Sequence, residues 1–350
     1  MSQLDILLPF AMPPPELAPD LLRALTLPAF AALLAQSKLR ALPTNDEFSR
    51  SLPHEAWLYE KFGPQSSLHT LGSPPIAAAA LKSAQLEAQA GFWFMLQPVH
   101  LHVARDHLVL SDLRQLDLAE SDARALFDTV APYFEEVGKP LSYGDAGTWF
   151  VRADDWAGLQ TSTPDATCGH NIDIWMPQGA EALQWRKLQN EVQMAWHSHP
   201  VNAAREEAGR NPVNSLWLWG GASTDMPVAT PQYDALFVNT DWIRAFAQFG
   251  STCGPADSAA AVIAAAPARG LLVLDTLIEP ALAGDWAEWI DRLHRYERDW
   301  FVPMLDAVRS GTIERLTLIL TNSTQASSFS VTRQGLRKFW VKPTLSRLLP

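Results

Sequence analysis

The chain has 350 residues, 47% hydrophobic and 19% charged, a balance that excludes a disordered protein. Its 27 Lys and Arg against 38 Asp and Glu leave a formal charge of −11, which argues against broad binding to a nucleic-acid backbone. Cys168 and Cys253 have neither zinc nor redox spacing, so a reducing compartment without disulfides is expected. Asp5 stands where a secretory signal carries positive charge, and the apolar run 259–266 is too short to cross a bilayer. The expected location is cytoplasmic, with neither nucleic acid nor membrane as partner.

Residues 4–8 form a short apolar run ending in proline, which reads as a buried strand. Residues 20–35 carry leucine and alanine at helical spacing and split into two short helices at Pro28. Pro53 and Gly63 bracket another helix. Residues 92–112 alternate apolar and polar side chains around an Ala-Arg-Asp-His turn and read as a β-hairpin with histidines on its wet face. Residues 118–137 follow as an amphipathic helix kinked or broken at Pro132, and 141–152 as two short strands.

From residue 181 onward, helices alternate with continuously apolar runs at 215–219, 235–238, 271–274 and 316–320. Such strands are buried on both faces, as in a parallel sheet covered by helices. The expected fold is therefore α/β, with a core built from 1–90 and 181–350 and an inserted α+β subdomain over 91–180.

The densest motif is 190–221, NEVQMAWHSHPVNAAREEAGRNPVNSLWLWGG. Its strand runs into Gly220 and Gly221, placing backbone at a sheet edge where ligands of open α/β folds bind. Asn202, Arg205 and Asn214 can converge there, with Arg205 offering a planar fork for a carboxylate or phosphate. Alternatively, Asn202 and Asn214 only cap and turn, and Arg205 pairs with a nearby acid. His197 and His199 straddle a helix end, where one serves as a C-terminal dipole partner. His100 and His102 share one strand face, the geometry of a metal site, although a polar strand face also carries histidine without chemistry. Most of the 14 tryptophans are expected to pack in the core.

The motif resembles the RpfE-type bacterial regulatory proteins, relatives of cofactor-independent phosphoglycerate mutase. HPVNAAREEAGRNPVNSLWLWGG is similar to a segment of the archaeal mutases, and QPVHLHVARDHLVL, residues 97–110, resembles the family's hairpin. The resemblance implies an alkaline-phosphatase-like sheet flanked by helices, two divalent metals, and a Ser or Thr nucleophile. This sequence departs from that machinery. Phe10 and Ala11 stand where the first strand should end in Asp-Gly, and Leu27, Pro28 and Ala31 replace the nucleophile and its neighbouring ligand. Asn322 and Ser323 occupy the place of a terminal Asp-His pair. The stretch after 271–274 keeps Asp275, Glu279 and Asp285 but no histidine.

The resemblance thus implies a pseudoenzyme, cytoplasmic and regulatory, that binds a small anion or a protein partner and needs no cofactor. Its ligand contacts would be His199, Asn202, Arg205 and Asn214, and Arg205→Ala would abolish binding without unfolding the chain. The alternative is an active metal-dependent mutase or phosphatase holding Mn or Zn through an altered set such as His100, His102 and Asp275.

Overall fold

The computed structural model describes residues 2–63, 72–226, 232–338 and 340–349. The chain forms two units: Met1–Glu47, Pro53–Phe62 and Thr230–Pro350 make the first, and Phe48–Leu52 with Gly63–Ala229 the second. The expected division differs, because 72–90 and 181–226 lie with the second unit. The chain leaves the first unit after β1 (Ser2–Leu8), α1 (Ala18–Ala24), α2 (Pro28–Ala35), β2 (Lys38–Ala41) and α3 (Pro53–Phe62).

The second unit contains α4 (Ala77–Ser83), β3 (Phe92–Val99), β4 (Leu101–Ala104), β5 (His107–Leu110), α5 (Glu120–Glu136), β6 (Leu141–Tyr143), β7 (Trp149–Arg152), α6 (Pro164–Thr167), α7 (Ala182–His197), α8 (Pro200–Glu207) and β8 (Ser215–Ser223). Its main sheet has the order β6-β7-β3-β8 and is antiparallel throughout. The run 215–219 was expected in a parallel sheet. It is instead the first part of β8, which pairs antiparallel with β3 through Leu96↔Leu218 and Gln97↔Trp217.

The hairpin is also shorter than expected. β3 belongs to the main sheet, and only β4 and β5 pair as a separate two-stranded ribbon. Pro132 does not break α5, whose Leu126, Val130 and Phe134 are buried along one face; that packing outweighs one missing amide donor.

The tryptophans pack as expected. Trp149 meets Trp196 edge-on at 5.9 Å, and Trp156 meets Trp185 in the same way at 5.9 Å. Buried indoles find acceptors where backbone offers them: Trp196 Nε1 donates to Leu126 O at 3.1 Å and Trp217 Nε1 to Ser162 O at 2.8 Å.

The chain then returns to the first unit with β9 (Ala235–Phe237), α9 (Asp241–Arg244), β10 (Thr252–Gly254), α10 (Ala259–Ala265), β11 (Arg269–Val273), α11 (Ile278–Ala283), α12 (Trp286–Tyr296), a π-helical turn over Glu297–Phe301, α13 (Val302–Ser310), β12 (Ile313–Thr321), β13 (Ala326–Thr332) and α14 (Arg333–Leu336). The sheet order is β10-β9-β11-β1-β12-β13-β2. Pairing is parallel from β10 to β12, and β13 and β2 close one side antiparallel.

The alternation of apolar strands and helices produces this α/β sheet because strands without a polar face need helices on both sides. α2 illustrates the demand: all its residues from Ala29 to Ala35 are buried, and Phe30 stacks on Phe301 at 4.4 Å.

Gly221 sits in β8 where a Cβ would approach the Phe94 ring to 2.4 Å and the Phe92 ring to 2.8 Å. Gly221→Ala should therefore cost about 1–3 kcal/mol of stability through overpacking. Denaturant unfolding reads this directly, and an unchanged midpoint would mean that both rings move aside freely.

Candidate functional site

In open α/β sheets the chemistry collects beyond the carboxyl ends of the strands. At the end of β1 the backbone turns through Phe10, held at a positive φ of 57°. Its carbonyl accepts a 2.8 Å bond from Trp289 Nε1, and its amide donates to the Thr321 hydroxyl at 3.4 Å. The ends of β1 and β12 are thus tied to each other and to α12 by apolar or neutral groups.

The start of α2 is the most specific feature of this edge. Its N-cap position is Leu27, whose side chain has no oxygen to offer, and Pro28 opens the first turn. The free amides of Ala29 and Phe30 donate instead to the two carboxyl oxygens of Glu297, at 2.5 and 3.0 Å. Glu297 is 7% exposed and comes from the π-helical turn after α12. It places a carboxyl group on the positive end of the helix, where an anion would otherwise be stabilised. Beside it, the Thr26 amide donates to His294 Nε2 at 3.2 Å.

The acids retained near this edge each have other work. Asp275 accepts a short hydrogen bond from the Thr240 hydroxyl. Glu279 pairs with Arg292 at 2.9 Å, and Asp285 caps α12 by accepting from the Glu288 amide at 3.0 Å. The Asn322 side chain accepts from Thr324 and Gln325 in its own turn. Asp5, in the middle of β1, takes the Tyr233 hydroxyl at 2.7 Å, and burial pushes that phenol well above its ordinary range.

The sequence reading missed one metal-capable pair in this unit. His54 and Glu55, in the first turn of α3, are 0% and 2% exposed, and their ligand atoms lie within 4.8 Å of each other. Two adjacent donors after Leu-Pro at a helix start were the available signal. The donor set does not make the two-metal centre that the resemblance implies.

The residues expected to bind a ligand all lie in the second unit, close together in the motif 199–214. Arg205 is buried at 3% exposure, and its Nε donates to Asn211 O at 2.8 Å. Its two Nη atoms donate to Asp117 O, at 3.2 Å, and to Leu116 O. The fork therefore holds three main-chain carbonyls. Asn202 was expected to cap α8 but lies inside it; its Nδ2 donates to Trp196 O and Val213 O, and its Oδ1 accepts from the Val213 amide, all at 2.8 Å.

The cap is His199, whose Nδ1 accepts from the Val201 amide at 3.2 Å while Nε2 faces the Thr129 hydroxyl at 3.1 Å. Asn214 clasps Leu101 through both its side-chain atoms, at 2.7 and 2.8 Å. This clasp and Pro98 explain why the chain leaves the main sheet after β3 and starts the β4–β5 ribbon.

His100 and His102 stack at 6.1 Å, yet each Nδ1 is engaged, His100 donating to Pro212 O and His102 meeting the Ser111 hydroxyl. No acid or further histidine joins them as a ligand group among the described residues. In the same unit Arg114 grips Asp165 through two bonds of 2.8 and 3.1 Å and reaches Asp112 at 3.0 Å. Burial pushes the Asp112 carboxyl up and the Cys168 thiol to about 12, so Cys168 is not a poised nucleophile.

A pocket of about 440 Å³ opens beside Gly221, walled by Pro75, Phe92, Leu159, Thr161 and Met226. The Ser73 hydroxyl supports its floor by accepting from the Gly220 amide at 2.9 Å and meeting the Thr161 hydroxyl at 2.7 Å.

No family model matches the chain. Among curated proteins it is similar to the 2,3-bisphosphoglycerate-independent phosphoglycerate mutase of Methanosarcina mazei, at 25% identity over 151 residues, 43% of this chain and 36% of the relative. The enzyme of the same name from Methanosarcina barkeri is 28% identical over 174 residues, 48% of this chain and 41% of the relative. The matched segment thus spans about two fifths of the length of these curated relatives. Among solved structures, the PH0037 protein of Pyrococcus horikoshii covers 95% of this chain and 87% of its own, with a TM-score of 0.56 at 12% identity. That is a likeness of fold, and it agrees with the α/β sheet flanked by helices expected from the sequence.

Removing Arg205 takes the donor from three main-chain carbonyls, of which that of Leu116 belongs to a buried residue, so Arg205→Ala should lower stability by about 1–3 kcal/mol. Chemical denaturation tests this, and an unchanged midpoint would show that the fork is dispensable to the fold. A second expectation concerns pH. Burial lowers the pKa of His199 and of His100 below 6.5. The unfolded chain then binds protons that the folded chain does not. The stabilisation is complete above the unfolded value and falls as the pH drops below 6.5. Thermal unfolding at a series of pH values should show this loss, with a shallower slope in His199→Asn.

Proposed function

We propose that this is a phosphoglycerate-mutase-like protein that does not carry out phosphoryl transfer by the mutase mechanism and acts as a binding and regulatory protein. The reading rests on the start of α2. Where the resemblance places a nucleophile stands Leu27, which has no atom that can accept a phosphoryl group. The two amides behind it already hold the Glu297 carboxyl. An incoming phosphate would have to displace a buried internal anion and would find nothing to attack it.

The same reasoning moves the ligand away from Arg205. We take His199, Asn202, Arg205 and Asn214 as fold-holding groups, because their donors and acceptors meet main-chain or neighbouring polar atoms. The pocket beside Gly221 is the better place for a small ligand. It lies near the strand end singled out by the glycine pair, and its lining of apolar groups and hydroxyls, with Asp225 as the charged member, suits a neutral polar molecule better than an anion.

A second reading keeps catalysis. The neighbouring donors His54 and Glu55 favour a single bound metal with an altered ligand set. Purified protein should be analysed for manganese, zinc and magnesium and assayed for interconversion of 2- and 3-phosphoglycerate with each metal added. The expected result is no stoichiometric metal and no turnover. Metal at one equivalent, with turnover that disappears in Glu55→Gln, would replace the regulatory reading with an enzymatic one.

A further inference from the structure

The chain is acidic overall, yet residues 315–350 contain six Lys and Arg and no Asp or Glu. The sheet register gathers part of this excess with cations from the amino-terminal part of the chain. On one face of the antiparallel edge, Lys38 lies opposite Ser330 and Arg40 opposite Ser328. The next strand sets Thr317 opposite Ser330 and Arg315 opposite Thr332.

Residues paired across strands point to the same side, so Lys38, Arg40 and Arg315 share a face with a field of hydroxyls. Phe329 and Val331, which alternate with these hydroxyls along β13, are buried on the opposite face. Arg333 and Arg337 follow directly in and after α14 and are exposed. Among the described residues, none of Lys38, Arg40, Arg315, Arg333 or Arg337 enters an ion pair.

β2 is the last strand of the sheet, and all four of its residues are exposed. Basic residues on an edge strand guard against aggregation. That accounts for Lys38 and Arg40 but not for Arg315, Arg333 and Arg337, nor for a carboxyl-terminal stretch cleared of acids. An unpaired strand edge offers main-chain bonds to an extended peptide, and Lys38 and Arg40, two residues apart, present like charges at the spacing of alternate side chains in such a peptide. Among the described residues of β2, β12 and β13 the one aromatic side chain, Phe329, is buried on the opposite face, so these strands give a nucleic-acid base nothing to stack on. A chain of charge −11 repels a large polyanion more than a short segment within a Debye length of the patch.

We propose that the free edge of β2 docks an extended acidic segment of a partner protein, added as a further strand, with acids at alternate positions facing Lys38 and Arg40. The probe is a fluorescent peptide of alternating Glu and Val, followed by anisotropy at low and high salt. Saturable binding is expected, weakened at least about tenfold by salt and by the K38E/R40E double substitution, as like-charge contacts demand.

The same peptide with Gln for Glu, and a version N-methylated at alternate amides, should both bind far more weakly. These peptide-side controls keep the test decisive if the double variant melts early. Equal binding of the N-methylated peptide would overturn strand addition, and absence of binding would overturn the docking site. Tighter binding of a short DNA duplex or of phosphatidylserine vesicles would also overturn the proposal.

Discussion

One carboxyl group joins the two ends of the first unit's chain. Glu297 comes from the π-helical turn after α12 and ends on the amides of Ala29 and Phe30, more than 260 residues away in sequence. Because Leu27 cannot cap α2 and Pro28 fixes its first turn, the helix depends on this distant acceptor for the donors that every helix leaves open. The stacking of Phe30 on Phe301 lies at the same junction. Polar satisfaction and apolar packing here reinforce one another, and the cost is that the helix start is closed to outside anions.

The second unit solves a similar problem in a different way. The loops around α8 carry main-chain carbonyls and amides that no sheet or helix can satisfy. Arg205, Asn202, His199 and Asn214 bring side-chain partners to them. A motif rich in Asn and Arg looks functional in a sequence, since such residues recognise ligands. It looks the same when they serve the backbone, because a carbonyl within the chain and an oxygen of a ligand ask for the same donor.

This explains what was legible in the sequence. Continuous apolar runs gave β1, β9, β11 and β12 correctly, and Pro28 and Pro53 marked helix starts. The run 215–219 misled because β8, though the last strand of its sheet, is buried on both faces over these residues; its partner Phe92–Val99, not its own composition, makes it antiparallel. Residues 92–112 read as one hairpin because alternation says nothing about the Asn214 clasp that parts β3 from β4. The polar roles of Glu297 and Arg205 were invisible because their partners are main-chain atoms fixed only by the fold. His54 and Glu55 were overlooked because their one signal, adjacent donors just after Leu-Pro at a helix start, lacks the i, i+3 or i, i+4 spacing that marks ligands on one helix face.

The position of β1 has a consequence for how the chain is made. This strand is synthesised long before its two neighbours, β11 and β12, which begin more than 260 residues later. While the intervening chain is translated, a strand with four apolar residues among its seven has no permanent partner on either side. Such long sequence separation slows the closure of a sheet and lengthens the time during which its apolar surface is exposed. The polar Asp5 and the prolines that follow the strand break up a segment that would otherwise pair readily with copies of itself during that wait.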